Sequence, residues 1–209
     1  MNRIKIKICG LSRPQDIECV NKLLPEFIGF NFFPPSKRYV TEEQAARLKA
    51  ELSPQIKAVG VFVNADIGLI ARLAAAKVID LVQLHGDEDA AYCLEVKRRT
   101  GLPLIKAVRV RDEQSLQGLE KYQADYLLFD PYVQGQYGGT GRRLAVQLKE
   151  QSVGRPYFVA GGLDADNVWE ILRQTRAFAA DVCGGVETGG VKDPQKIAAF
   201  INKVRGDKE

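Results

Sequence analysis

Short runs of apolar residues recur along the chain at regular intervals. Eight of these runs are rich in β-branched and aromatic residues, which is typical of buried strands. They lie at residues 4–9, 27–33, 56–63, 79–85, 103–110, 125–130, 156–162 and 178–185. Most of the intervals have the length of one strand-plus-helix unit. The long interval between the sixth and seventh runs contains the glycine-rich segment 132–141, whose length and glycines permit a lid.

Segments with helical spacing and helix-start signals lie between the predicted strands. Ser12 is a predicted N-cap because proline follows in the first turn. Thr41 and Gln44 have the spacing of a capping box. Gly101 is predicted to stop a helix that begins with acidic residues and ends with basic ones. Asp164 is predicted to open a later helix, and a final helix is predicted over 193–204. The pattern therefore predicts eight strands alternating with eight helices.

This alternation indicates a parallel α/β sheet, because crossovers of this length join parallel neighbours. A closed (β/α)8 barrel and an open doubly wound sheet both satisfy the pattern. The closed barrel is favoured because the eight units are nearly equal in length and because no GxGxxG motif follows the first strand. We expect residues 1–209 to form one small TIM barrel with few insertions.

The composition is that of an ordinary globular protein, with 45% hydrophobic and 27% charged residues. A net charge of +4 is compatible with small anionic ligands but too weak to indicate nucleic acid. The four cysteines lie far apart, without metal-site spacing, so we expect free thiols in a reducing compartment. The first residues alternate lysine with isoleucine, unlike a signal peptide, and no apolar run reaches the roughly 18 residues of a membrane span. A cytoplasmic location is expected, with no membrane partner.

Two glycine pairs follow the last two predicted strands, Gly161–Gly162 and Gly184–Gly185. Glycine lets the backbone approach a ligand and present successive amides, and a helix N-terminus adds attraction for an anion. Each pair alone is compatible with a tight turn. Two pairs in units seven and eight, where barrels recurrently bind phosphate, favour a phosphate site.

Asp130 and Cys9 are the candidate proton-transfer groups, because each ends a predicted strand where barrel active sites form. Asp130 ends an otherwise apolar strand, where an unpaired buried charge is costly, so it either caps the next turn or acts as an acid or base. Cys9 precedes a predicted helix start, where a thiol can have a lowered pKa and act as base or nucleophile. The other strand-end cysteine, Cys183, carries no assigned role.

Cys19 and Cys93 lie within predicted helices and are interpreted as packing residues. Arg38 lies in a loop with two prolines and is either a solvated charge or a carboxylate-binding group, for which arginine is well suited. His85, the only histidine, is more typical of a structural donor than of a catalyst.

At these residues the sequence resembles the phosphoribosylanthranilate isomerases, barrel enzymes of tryptophan biosynthesis. The resemblance extends from the first strand to the last helix. It rests on KICGL, GFNFFPPSKRYV, VGVFVN, VQLHGDE, the segment from Asp130 to GGTG, VAGGLDADNV and DVCGGVETGGVKD, in order. It implies an Amadori rearrangement of N-(5-phosphoribosyl)anthranilate, without a metal or organic cofactor. The resulting keto product is a 1-deoxyribulose 5-phosphate derivative.

The resemblance also implies residue roles. Asp130 would be the general acid at the ring oxygen, Cys9 the general base at C2, and Arg38 the group that holds the anthranilate. The glycine pairs would bind the phosphate, and His85 is grouped with the substrate-binding residues without a catalytic role. In this family a serine pair is common where this chain has Cys183–Gly184, and a proline where TGGVKD has glycine. Backbone amides survive both changes, so phosphate binding should persist without a hydroxyl contact.

Three alternatives stand beside this interpretation. An indole-glycerol-phosphate synthase would need a catalytic lysine, but Lys5 and Lys7 precede the end of the first strand. A ribulose-phosphate epimerase would need a histidine-containing metal cluster, which one histidine cannot supply. A non-catalytic phosphate-ligand sensor on an open sheet would keep the glycine turns but would not need both Cys9 and Asp130. The oligomeric state is expected to be monomer or homodimer.

Overall fold

A computed structural model describes residues 3–131 and 154–206. Eight strands lie close to the eight predicted runs: β1 Lys5–Cys9, β2 Phe27–Asn31, β3 Lys57–Phe62, β4 Leu81–Leu84, β5 Leu104–Val110, β6 Tyr126–Pro131, β7 Tyr157–Val159 and β8 Ala179–Val182. The described helices are α1 Pro14–Leu23, α2 Glu42–Glu51, α3 Ile67–Ala75, α4 Ala90–Thr100, α5 Val168–Thr175 and α6 Pro194–Arg205. A short antiparallel hairpin, β9 Glu187–Thr188 and β10 Val191–Lys192, follows β8.

The eight strands form a closed parallel barrel in sequence order, with β8 pairing back onto β1. The predicted closed barrel is therefore confirmed. One predicted helix is wrong, because two short 3-10 segments, Glu113–Leu116 and Leu119–Lys121, follow β5. Gly118, with a φ of 65°, separates these segments and interrupts the helical path. The predicted helix after β6 and the glycine-rich segment 132–141 lie outside the described residues.

Closure gives the barrel two hydrophobic cores, because successive side chains of a strand point to opposite faces. Outward-facing residues such as Ile6 and Ile8 pack in the larger core with the helices. Inward-facing residues fill the lower barrel, among them Phe27, Leu128 and Phe158. Phe27 and Phe158 meet edge to face across this interior, with ring centroids 5.4 Å apart. Nearer the carboxyl ends of the strands, the interior contains buried polar side chains such as Lys7, Gln83 and Asp181.

Several helix starts are as predicted and others differ. Thr41 Oγ1 accepts the Gln44 backbone N–H, but the Gln44 side chain donates to the Ser12 carbonyl instead of returning to Thr41. Ser12 is not an N-cap, since α1 begins after Arg13 and the Asp16 carboxylate accepts both the Ser12 and Arg13 amides. Gly101 ends α4 in the left-handed conformation, as predicted.

Candidate active site

Lys7 and Cys9 of β1 and Asp181 of β8 lie close together at the carboxyl end of the barrel. Lys7 and Cys9 share the inward face of β1, and Lys7 is in register with Asp181 of β8. Lys7 is completely buried, and its Nζ donates to Asp181 Oδ2 at 2.9 Å. Burial by itself lowers the pKa of Lys7, but attraction to Asp181 and then to Cys9 outweighs burial and raises it. A charged ammonium is thus held directly beneath Cys9.

Cys9 and Cys183 behave as one titrating pair. A side-chain hydrogen bond to Cys183, together with burial, raises the pKa of Cys9 well above its ordinary value. The same hydrogen bond lowers the pKa of Cys183 to about 7, aided by Lys192 and Arg38. The expectation of a lowered pKa at Cys9 is therefore wrong for Cys9 alone, because its neighbour takes the negative charge. The apparent pKa for loss of the first proton is therefore a property of the two thiols together and not of Cys9 or Cys183 alone.

Arg38 does not point freely into solvent. Its Nε and Nη2 donate to the two carboxylate oxygens of Glu187, each at 2.7 Å, in a bidentate pair. This hydrogen bonding raises the pKa of Arg38. Burial opposes ionisation of Glu187, but Arg38 and Lys192 outweigh burial and lower its pKa. The three side chains form one ionised cluster beside Cys183, whose carbonyl accepts a hydrogen bond from Lys192 Nζ at 2.9 Å.

The two glycine turns lie against each other, as a shared anion site would require. Gly161 and Gly162 have φ values of 87° and 61°, a region that disfavours other residues. Asn167 holds this turn by donating to the Gly162 carbonyl at 2.7 Å, and α5 begins at the next residue. The predicted opening residue, Asp164, instead accepts amides within the preceding turn. A Cβ at Gly185 would overlap the Leu163 carbonyl oxygen, so glycine at position 185 allows the turns to touch.

His85 and Asp130 form the opposite side of the site. Asp130, at the end of β6, is 2% exposed, and its Oδ2 lies 3.4 Å from His85 Nε2. That separation is longer than a good hydrogen bond, and neither atom has another partner among the described residues. Gln83 Nε2 lies 2.7 Å from His85 Nδ1. With the amide in this orientation, Nδ1 accepts and the neutral ring carries its proton on Nε2, facing Asp130.

Alternation along the strands relates the two sides. Cys9 shares a face of β1 with the inward-pointing Lys7, and Asp130 shares a face of β6 with Leu128 of the inner core. Both side chains therefore lie on inward faces of the same barrel. This is the arrangement that proton transfer on two sides of one small molecule requires.

Five residues of this network were not predicted from the sequence: Lys7, Gln83, Asp181, Glu187 and Lys192. For Lys7 a usable signal existed in IKIKIC, since alternation in a barrel strand covered by helices places the polar residues inside. The same reasoning applies to Asp181 in the short apolar strand β8. Glu187 and Lys192 lie in the hairpin after β8, which the hydrophobic pattern did not predict.

The described residues hold no group of three or more His, Cys, Asp and Glu side chains arranged to bind a metal ion. None of the helices in 3–131 and 154–206 has the length and apolar character needed to span a membrane.

Comparison with known proteins gives the same family as the motifs. The family model for N-(5′-phosphoribosyl)anthranilate isomerase matches residues 6–203. The chain belongs to this family. The isomerase of that name from Lachnoclostridium phytofermentans is 44% identical over 95% of this chain and 96% of its own. The one from a Thermoanaerobacter species is 40% identical over 97% of this chain and 98% of its own.

Solved structures of the isomerase family agree with the barrel. The isomerase from Thermotoga maritima superposes with a TM-score of 0.87 at 32% identity, covering 97% of this chain and 99% of that one. An isomerase in complex with reduced 1-(o-carboxyphenylamino)-1-deoxyribulose 5-phosphate superposes with a TM-score of 0.82, also at 32% identity and over the same shares. The resemblance inferred from the sequence is confirmed as family membership, and the tryptophan-pathway isomerase interpretation is confirmed with it.

Proposed function

We propose that this chain converts N-(5-phosphoribosyl)anthranilate to 1-(2-carboxyphenylamino)-1-deoxyribulose 5-phosphate, with Asp130 as general acid and Cys9 as general base. The observation that carries the proposal is that both groups lie near the carboxyl ends of well-separated strands, β1 and β6, on the inward faces of one closed barrel. Such a separation suits a reaction that receives a proton at one atom of a sugar and loses a proton at another.

The acid step opens the furanose ring. Asp130 donates a proton to the ring oxygen as the bond from that oxygen to C1 breaks, and the amine nitrogen lone pair forms a C1=N double bond. The Asp130 Oδ2 atom suits this role because it has no hydrogen-bond partner among the described residues. His85 Nε2 lies 3.4 Å away and faces the Asp130 carboxylate that remains after proton transfer.

The base step removes the C2 proton. The resulting enolamine gains a proton at C1 and loses the proton of its C2 hydroxyl, which gives the keto product. Cys9 must be a thiolate to accept the proton, and we propose that it reaches this form by passing its own proton to the Cys183 thiolate through the hydrogen bond between the two sulfurs. Lys7 below the sulfur favours the charge on Cys9. The pair thus supplies the base that an isolated buried thiol would not.

Arg38 is proposed to hold the anthranilate carboxylate. Its bidentate pair with Glu187 uses two of the five guanidinium N–H donors, so three remain for a second carboxylate. Glu187 also fixes the orientation of the guanidinium, which lowers the entropy lost on binding.

The glycine turns at 161–162 and 184–185 are proposed to bind the phosphate through backbone amides. A Gly185→Ala substitution tests this, since its Cβ would overlap the Leu163 carbonyl oxygen. Gly184→Ala is the matched control, because its Cβ would meet nothing closer than Arg38 Nη2 at 3.7 Å. We expect inhibition by inorganic phosphate to weaken about tenfold in the first variant and to change little in the second. Equal effects would contradict the packing argument.

The direct experiment follows the loss of phosphoribosylanthranilate fluorescence on addition of the purified chain. The product is identified by mass spectrometry and by its keto group, which distinguishes isomerisation from simple hydrolysis to anthranilate. Release of anthranilate alone, or turnover of phosphosugars without the aromatic group, would contradict the proposal. A chain that binds inorganic phosphate without any turnover would support the sensor alternative.

We also propose a single catalytic domain over 1–209 and a cytoplasmic location, as monomer or homodimer. One solved relative is described as a set of monomers generated from a dimeric isomerase. Sedimentation equilibrium of the purified chain measures its oligomeric state directly.

A further inference from the structure

We propose that Cys9 and Cys183 form a reversible disulfide when a hydroperoxide reaches the barrel mouth, and that this bond switches the site off. The disulfide itself does not depend on the proposed function, although the loss of activity does.

The strands place the two cysteines side by side. Ile8 and Val182 are paired across β1 and β8; Cys9 is the last residue of β1, and Cys183 directly follows the last residue of β8. Neighbouring strands lie about 4.8 Å apart, within the separation of about 4.4–6.8 Å that disulfide Cα atoms adopt. A Cβ added at Gly10 would lie 3.3 Å from Cys183 Sγ, so that sulfur reaches over the end of β1. All four cysteines are free thiols in this structure.

The environment of Cys183 suits the attacking thiol. Cys183 is partly exposed, whereas Cys9 is buried. Lys192 Nζ lies 3.8 Å from Cys183 Sγ, and the Arg38 guanidinium also attracts negative charge there. A partly exposed thiolate next to cationic groups is the kind of cysteine that oxidises selectively.

The chemistry needs only the peroxide. The Cys183 thiolate attacks one peroxide oxygen, the O–O bond breaks, and sulfenic acid and hydroxide (or alkoxide) form, so that sulfur is oxidised by two electrons. Cys9 then attacks the sulfenic sulfur, the S–O bond breaks, and water leaves as the disulfide forms. The Cys9 sulfur can no longer accept a proton, so proton abstraction stops. A dithiol reductant returns both thiols.

Cys19 and Cys93 provide internal controls. Cys19 lies in α1 and Cys93 in α4, and neither pairs with a strand-end cysteine. Burial raises the pKa of Cys93 to about 11, so it should stay protonated under conditions that oxidise Cys183.

The test treats the full-length chain with hydrogen peroxide and maps its peptides without reduction. We expect a crosslink of the Cys9 and Cys183 peptides, and loss of at least nine-tenths of the isomerase activity, recovered by dithiothreitol. C183S should give no crosslink, and any activity lost should not return with dithiothreitol. C9S should instead give a Cys183 sulfenic acid that dimedone traps. A chain without isomerase activity would still form the crosslink, which separates this proposal from the proposed function.

A pH series gives a second readout. The variant C19S/C93S keeps the hydrogen bond from Cys9 that lowers the pKa of Cys183 to about 7. Alkylation of Cys183 by iodoacetamide, measured on its peptide, should therefore rise about tenfold from pH 6 to pH 8 and then level off. The thiolate fraction of an ordinary thiol, with a pKa of about 8.5, would rise about 75-fold over that range and continue to rise beyond it. Oxidation confined to isolated sulfinic acids, or crosslinks to Cys19 or Cys93, would overturn the proposal.

Discussion

The two sides of the barrel mouth are built differently. On the β1–β8 side, Lys7 is paired with Asp181, Cys9 with Cys183, and Arg38 with Glu187. On the β4–β6 side, His85 Nε2 and Asp130 Oδ2 lie 3.4 Å apart, and neither has a hydrogen-bond partner among the described residues.

The paired charges of the β1–β8 side can stabilise the fold, whereas the unpartnered atoms of the β4–β6 side can interact with a bound substrate. Buried charges are tolerated when they are paired, as they are on the β1–β8 side. Even there Asp181 Oδ1 has no hydrogen-bond partner among the described residues, and burial raises the pKa of Asp181 to about 7. Unpartnered buried polar atoms are costly, so their presence in a native site indicates a role that needs them open. Variants should therefore affect folding mainly on the β1–β8 side and catalysis on both sides.

The largest effects are expected from Asp130→Asn and Cys9→Ser. Each variant removes one proton transfer but keeps the shape of the side chain, so kcat should fall by about 10²–10⁴-fold. Inhibition by inorganic phosphate should stay nearly unchanged, because the glycine turns remain. Steady-state kinetics with the fluorescence assay measures both quantities.

Cys19→Ser is the matched control for Cys9→Ser, since it makes the same chemical change in a helix. Wild-type kcat in either strand-end variant would remove that residue from the mechanism.

Lys7→Met should produce the largest loss of stability. It leaves Asp181 buried without its cation, and breaking such a pair costs about 3–5 kcal/mol of unfolding free energy. Lys7→Met/Asp181→Leu should recover most of that loss, because two apolar residues replace the ion pair. Urea unfolding followed by circular dichroism measures the difference. His85→Asn, on the other side, should cost less than about 1.5 kcal/mol, which tests the comparison directly.

The strands could be predicted from the sequence because their apolar, β-branched runs are local signals. The helix predicted after β5 was wrong because Gly118 and a polar sequence give two 3-10 segments instead. Position at a strand end or in a loop was enough to predict several site residues: Cys9, Arg38, His85, Asp130 and the glycine pairs. The partners Asp181 and Glu187 could not, because barrel closure and the hairpin after β8 bring them to residues 174 and 149 positions away. Gln83 is only two positions from His85, but nothing in QLH indicates that the two side chains meet.

Lys7 illustrates the physical reason. In a sheet with one solvated face, a lysine alternating with isoleucine points to water. In this barrel the same alternation buries Lys7 completely against Asp181, 174 positions away. The side chain's environment is set by barrel closure and not by its neighbours in sequence.

Arg38→Ala should mainly raise KM, by about 10–100-fold, because a charge-assisted hydrogen bond to the substrate carboxylate is lost. Glu187→Gln is the matched variant, since it keeps Arg38 but weakens the bidentate pair that orients it. Its KM should rise less than that of Arg38→Ala. If the two variants have the same KM, Arg38 acts only as the partner of Glu187 and does not bind the substrate.

The smallest expected effect tests the β4–β6 side. Gln83→Leu removes the amide that faces His85 Nδ1 at 2.7 Å, so the ring can carry its proton on either nitrogen. A net hydrogen bond of about 0.5–1.5 kcal/mol corresponds to a two- to tenfold fall in kcat, with KM little changed. Gln83→Glu should instead favour a proton on Nδ1, turn a lone pair of Nε2 toward Asp130, and change the pH dependence of kcat. Identical pH profiles in the wild type and both variants would mean that the ring's orientation toward Asp130 does not influence the acid step.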